Sequence, residues 1–133
     1  FPFAAVYSGE DSFEASRKFR PEELKDWEET GWVDRTSTTK PDLELRLPWS
    51  HMEERLKHDL KDRVDKLTMP VLFVVGEEDI RCPPYQQENF FNLLIKNTNK
   101  EFHIIPRAPH TFREQEHLDE LEKIFSNWLT KIS

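Results

Sequence analysis

The run Met69-Pro70-Val71-Leu72-Phe73-Val74-Val75-Gly76 constrains this chain more than any other. Five apolar residues stand unbroken between a proline and a glycine, without the polar alternation of a strand that has one wet face. A strand of that kind is covered on both faces, as in a parallel sheet flanked by helices. Two further runs of strand length are weaker: Phe3-Ala4-Ala5-Val6-Tyr7-Ser8 ending at Gly9, and Glu101-Phe102-His103-Ile104-Ile105-Pro106. Between the second and third runs, Pro83-Pro84 sits where a first helical turn tolerates proline. Residues 85–96 follow as a helix carrying Phe90, Phe91, Leu93 and Leu94, and Asn97-Thr98-Asn99 ends it. After the third run, Leu118, Leu121, Ile124, Phe125, Trp128, Leu129 and Ile132 recur at steps of three and four, which predicts an amphipathic helix with one buried face. Strand, helix, strand, helix in that order predicts a right-handed parallel βαβ unit, hence an α/β fold with a short parallel sheet of about three strands.

Residues 10–68 have another character and are expected to form a helical cap or lid inserted between core strands; they outrun what a bare crossover needs. Pro21-Glu22-Glu23-Leu24-Lys25-Asp26-Trp27 predicts a short helix that Gly31 ends, and residues 35–48 read as irregular or weakly extended. Ser50-His51-Met52-Glu53 has the spacing of a capping box, with Met52, Leu56, Leu60, Val64 and Leu67 as a narrow apolar stripe behind it. The division expected is residues 1–9 as a core strand, 10–68 as the cap and 69–133 as the remaining core.

With 133 residues the chain has room for one compact domain. Ten Phe and four Trp argue against disorder despite 34% charged residues. A net charge of −7 disfavours nucleic acid and anionic membrane surfaces, which are held through clustered Lys and Arg. No apolar run approaches the roughly 20 residues of a membrane helix. The single cysteine, Cys82, leaves no intrachain disulfide, and the expected compartment is cytoplasmic. His51 and His58, seven apart on one expected helix, lack a matching acid or cysteine set for a metal, and His103 and His117 read as ordinary surface or helix positions.

Two segments stand directly after expected strand ends, where open α/β folds place reactive groups: Gly76-Glu77-Glu78-Asp79-Ile80-Arg81-Cys82-Pro83 and Pro106-Arg107-Ala108-Pro109-His110-Thr111-Phe112. Adjacent strands would bring Asp79 and His110 to one edge. There a carboxylate can accept the imidazole Nδ1–H, fix the tautomer and stabilise the imidazolium. An apolar strand into Gly-x-x-Asp-x-x-x-Pro, a helix, then a strand into a loop with His-x-Phe resembles the C-terminal half of the α/β-hydrolase superfamily, nearest its esterase, acyl-hydrolase and serine-peptidase-like branches. The resemblance covers residues 70–133, with residues 1–9 as the strand after the nucleophile helix.

That resemblance implies Asp79 as the triad acid and His110 as the general base, in the family's order of nucleophile, acid, histidine. It implies hydrolysis of an ester, thioester or amide acyl substrate by the intact protein, with no metal or organic cofactor. Within the same fold, a dehalogenase- or epoxide-hydrolase-like mechanism with an Asp nucleophile is the rival. From another class, the rival is a non-catalytic interaction module that keeps the scaffold. Arg107 stands where the family commonly has Gly, which implies a different turn or modest strain. No Gly-x-Ser-x-Gly occurs, and Val6-Tyr7-Ser8-Gly9-Glu10 lacks the first glycine of such an elbow. Nucleophile and oxyanion donors are therefore expected from an N-terminal half of the same hydrolase or from another chain, and this chain alone should be inactive. Without the neighbouring nucleophile strand, the edge at Phe3 to Ser8 is expected to pair with that half or to self-associate. Trp27, Trp32 and Trp49 are candidates for a substrate pocket beneath the cap, although packing is the commoner fate of tryptophan.

Overall fold

The computed structural model describes residues 6–36, 40 and 42–132. The chain divides into two compact units, one of residues 1–7 with 60–133 and one of residues 8–59.

In the unit of residues 8–59, Ser8 caps helix α1 (Gly9–Phe19) by accepting the Asp11 N–H, and Glu10 and Asp11 lie favourably in the first turn. Helix α2 (Pro21–Thr30) begins at a proline and ends at Gly31, whose φ of 77° is the left-handed cap that glycine adopts without steric cost. Strands β1 (Trp32–Thr36) and β2 (Glu44–Pro48) pair antiparallel, placing Val33 opposite Leu47. Helix α3 (Ser50–Leu56) follows. Leu24, Trp27 and Met52 form the core, with Phe13, Val33, Leu47 and Trp49 against them.

Three expectations for this stretch are corrected. Helix α1 was not anticipated, because its buried face is Gly9, Ser12, Ala15 and Ser16, small residues that leave no apolar stripe in the sequence. Residues 35–48, expected to be irregular or weakly extended, include part of a regular hairpin. The capping box is not made. Trp49 is the N-cap, without a side-chain bond, and the helix stops at Leu56 instead of running on. The cause is long-range: His58 O accepts the Gly9 N–H, and Asp59 forms a bridge with Ser8 and accepts its hydroxyl. Backbone committed there cannot continue a helix. The stripe breaks up accordingly, leaving Leu56 and Leu60 exposed, and His51 and His58 do not share a helix.

In the other unit, a 3₁₀ segment (Lys61–Lys66) leads to strand β3 (Val71–Gly76), every residue of which is buried. Helix α4 (Pro84–Leu93) crosses to strand β4 (Lys100–Ile105), parallel to β3 in the register Val71↔Lys100 to Gly76↔Ile105. Helix α5 (Gln115–Ile132) closes the chain. The unbroken apolar run now has its reason. Leu72 and Val74 join a core with Ile105, Ala108, Ile124 and Trp128, while Val71 and Phe73 join another with Tyr7, Phe90 and Leu94. In the second core Tyr7 stacks on Phe90 at 4.4 Å and Phe73 meets Phe90 edge-on at 5.4 Å, contacts worth about 0.5–1.5 kcal/mol each beyond their buried area. Buried Asn97 donates to the carbonyls of Leu67 and Met69 and accepts from the Asn99 N–H, tying the entrance of β3 to that of β4.

Two strands of the parallel sheet are thus described. Residues 3–5 of the third expected strand lie outside the described residues, while Ser8 at its end is a helix cap. The apolar stripe of α5 is wider than the face it buries. Ile124 and Trp128 are covered, but Leu118, Phe125, Leu129 and Ile132 are exposed, and Leu118, Leu121, Glu122 and Phe125 line an open apolar cavity of about 300 Å³. No helix among the described residues is long and apolar enough to cross a membrane.

Helix α5 is also tied to β4 by Lys131 Nζ to Glu101 Oε1 at 2.8 Å, and His103 Nε2 lies 3.1 Å from Glu101 Oε2. The bonds to Lys131 and then His103 hold the Glu101 carboxyl below its ordinary value. A carboxyl lowered by folding stabilises the fold above the ordinary glutamate range, and that contribution is lost as pH falls through the lowered value. Glu101→Gln should therefore cost up to about 1 kcal/mol at neutral pH and flatten the acid limb of the stability curve. Urea melts at pH 7 and pH 3 check both, with an unchanged acid limb speaking against the tie.

Candidate active site

The acid loop begins where β3 ends. Asp79 N–H donates to Gly76 O, turning the chain back, and Asp79 Oδ1 accepts the backbone N–H groups of Arg81 at 2.8 Å and Cys82 at 2.9 Å. Aspartate favours this local cradle because its short side chain reaches backbone donors two and three residues on. Pro83 and Pro84 then start α4, so the loop is pinned at both ends.

The histidine loop begins where β4 ends. Arg107 has φ 57°, the left-handed region, and is the only non-glycine residue there among those described. This is the turn that glycine at the position would make without strain; the arginine is held in it by its N–H to Glu77 Oε2 at 2.9 Å. Glu78 N–H donates to Ala108 O at 3.0 Å, stitching the two loops together. They cross at Gly76. A Cβ there would overlap Ala108 O and stand 2.6 Å from Pro109 O, both backbone atoms that cannot rotate away. Gly76→Ala should therefore separate the loops. Either the chain fails to fold, or it folds with His110 detached from Asp79; a thermal melt together with the His110 imidazole resonances would tell. A variant with unchanged melting and resonances would contradict this packing.

The two loops bring Asp79 and His110 together across 31 residues, with His110 Nδ1 2.8 Å from Asp79 Oδ2. The Asp79 side chain is fully buried, while that of His110 is 37% exposed. The carboxylate is thus saturated, one oxygen by two backbone N–H groups and the other by the imidazole. The ring keeps an open edge for a reacting group.

Trp27 is core: its Nε1–H donates to Leu47 O, and Trp49 meets it edge-on at 5.5 Å. Trp32 is exposed beneath the Arg46 guanidinium. These contacts of Trp27 and Trp49 are packing contacts within the unit of residues 8–59. His117, read as a surface or helix position, is buried in α5 near Phe112. Sequence reasoning missed Gly76 as the crossing point and Glu77 as the clamp on Arg107. The first had a signal, a glycine at the end of a fully buried strand. The second depends on a contact 30 residues distant. Cys82, buried beside the pair, offers a sulfur close to both Asp79 and His110.

Two parallel strands joined through a helix, with an Asp–His pair on the loops that follow them, belong to the fold of the α/β-hydrolase superfamily. Residues 2–133 match the prolyl oligopeptidase family, and the chain belongs to it. Among solved structures the chain is similar to mouse alpha/beta hydrolase domain-containing protein 10, at TM-score 0.66 and 17% identity, over 96% of this chain and 50% of that one. It is also similar to the monoacylglycerol lipase of Paleococcus ferrophilus, at TM-score 0.53 and 19% identity, over 99% of this chain and 55% of that one. The chain therefore spans about half the length of these hydrolases. No curated protein sequence matches it.

Proposed function

We propose that Asp79 and His110 are the acid and the general base of a Ser–His–Asp acyl-transfer hydrolase whose nucleophile lies outside these 133 residues. The observation that carries this reading is the 2.8 Å contact from His110 Nδ1 to a buried carboxylate whose other oxygen is already committed to backbone donors. In that geometry Nδ1 donates, which leaves Nε2 as the base. It takes the proton of the attacking hydroxyl and returns it to the leaving group, while Asp79 holds the tautomer and stabilises the imidazolium. The substrate class is an ester, thioester or amide. Membership of a family named for an oligopeptidase weighs toward the amide. The nucleophile and the oxyanion donors would come from an N-terminal half of the same hydrolase or from a second chain, since this sequence contains no Gly-x-Ser-x-Gly.

A fluorophosphonate probe tests the division of labour. The isolated chain should not be labelled and should not turn over an aryl ester above background. The protein that carries the whole fold should be labelled at one serine outside this chain. Stoichiometric labelling of a serine within it would place the nucleophile here, and an unlabelled whole protein would overturn the serine mechanism.

A further inference from the structure

Asp79, Cys82 and His110 each offer one ligand atom, a carboxylate oxygen, a sulfur and an imidazole nitrogen, and the three atoms lie within 4.8 Å of one another. We propose that these three side chains bind a thiophilic divalent cation of the zinc class, and that the bound ion silences the base. Binding does not depend on the hydrolase reading; the silencing rests on it.

The donor set suits the ion. Zinc is held by thiolate at about 2.3 Å and by imidazole or carboxylate at about 2.0–2.2 Å, in tetrahedral sites whose ligand atoms stand roughly 3.3–3.8 Å apart. Contraction of up to about 1.5 Å of the widest pair, with the 2.8 Å Nδ1–Oδ2 pair parting by about 0.5 Å where Nδ1 is the ligand, gives that geometry. His110, on the exposed side, can supply it by small side-chain rotation. Three protein ligands leave the fourth position to water. The support is already in place. Asp79 Oδ1 is fixed by the N–H groups of Arg81 and Cys82, so Oδ2 is turned toward His110, and Pro83-Pro84 follows Cys82 into the start of α4. Glu77 and Glu78 in the same loop add negative charge that attracts a cation.

Coordination takes the Cys82 thiol to a thiolate and releases its proton to solvent. The imidazole keeps its single proton. If Nδ1 takes the ion, that proton moves to Nε2; if Nε2 takes the ion, its lone pair is used. Either way Nε2 can no longer accept a proton from a nucleophile. The contact from Nδ1 to Asp79 Oδ2 and the metal site thus compete for the same atoms, and only one can be formed fully at a time.

Cobalt(II) reads the site without any catalytic assay. The chain, stripped of metal and titrated with Co2+, should bind one equivalent with a thiolate-to-cobalt charge-transfer band and the intense visible bands of tetrahedral cobalt, both abolished by added Zn2+. Cys82→Ala should remove the charge-transfer band. His110→Gln, a change at a half-exposed position, should weaken cobalt binding tenfold or more. In the whole hydrolase Zn2+ should reversibly suppress turnover, with EDTA restoring it. A cobalt spectrum without the thiolate band, or one unchanged in both variants, overturns the cation site and leaves the hydrolase reading intact. A cobalt site in a whole protein that hydrolyses nothing upholds the site and overturns the hydrolase reading.

Discussion

Asp79→Asn in the protein carrying the whole fold should lower kcat by roughly four orders of magnitude while leaving KM close to its original value. The expectation follows from counting donors. The native carboxylate meets only donors: two backbone N–H groups at Oδ1 and the imidazole Nδ1–H at Oδ2. Asparagine has one oxygen and one NH₂. With the oxygen toward Arg81 and Cys82, the NH₂ faces Nδ1 and selects the tautomer protonated at Nε2, which cannot act as a base. With the amide reversed, its NH₂ confronts two backbone donors in a buried loop, which costs about 1–3 kcal/mol of stability. The measurement is steady-state kinetics together with a melt. Wild-type kcat in a folded Asp79→Asn protein would remove Asp79 from the mechanism.

His110→Ala should reduce kcat by about three orders of magnitude or more, because the proton of the nucleophile then has no acceptor and the leaving group no donor. The loss should be nearly independent of the acyl group, since in the proposed mechanism His110 acts on the proton and not on substrate recognition. Stability should suffer little by comparison. The imidazole is partly exposed, and the loops remain joined through Glu77, Glu78, Arg107 and Ala108. A folded His110→Ala protein retaining a tenth of wild-type kcat would exclude this histidine as the base.

The parts of this chain legible in its sequence carry strong local signals. Residues 71–75, an unbroken apolar run between proline and glycine, read as a strand covered on both faces. The proline pair at 83–84 marked the start of α4 to within a residue, and the steps of three and four located α5. That Asp79 and His110 would meet at one edge was legible because both loops follow adjacent parallel strands. Arg107 in place of glycine left a different turn or modest strain open, and the left-handed φ of 57° is the second of these. What was hidden depends on contacts distant in sequence. Helix α1 buries serine, alanine and glycine, which carry no hydrophobic period. The end of α3 is decided by Ser8 and Gly9, some fifty residues earlier. Of the hairpin of β1 and β2 only Val33 and Leu47 pack against the core, while Leu45, on the same face as Leu47, stays exposed, so its hydrophobic alternation is diluted. The width of the α5 stripe was visible, but not that only part of it would be covered.

In the proposed mechanism His110 donates its Nδ1–H to Asp79, and Nε2 is the base. Nitrogen-15 NMR of the histidine-labelled chain reads that proton directly and needs neither substrate nor nucleophile. At a pH where the ring is neutral, His110 should show a protonated Nδ1 and an unprotonated Nε2. The Nδ1 proton should be shifted far downfield, and that resonance should vanish in Asp79→Ala. A neutral His110 protonated at Nε2, or a downfield proton that survives Asp79→Ala, would contradict the account.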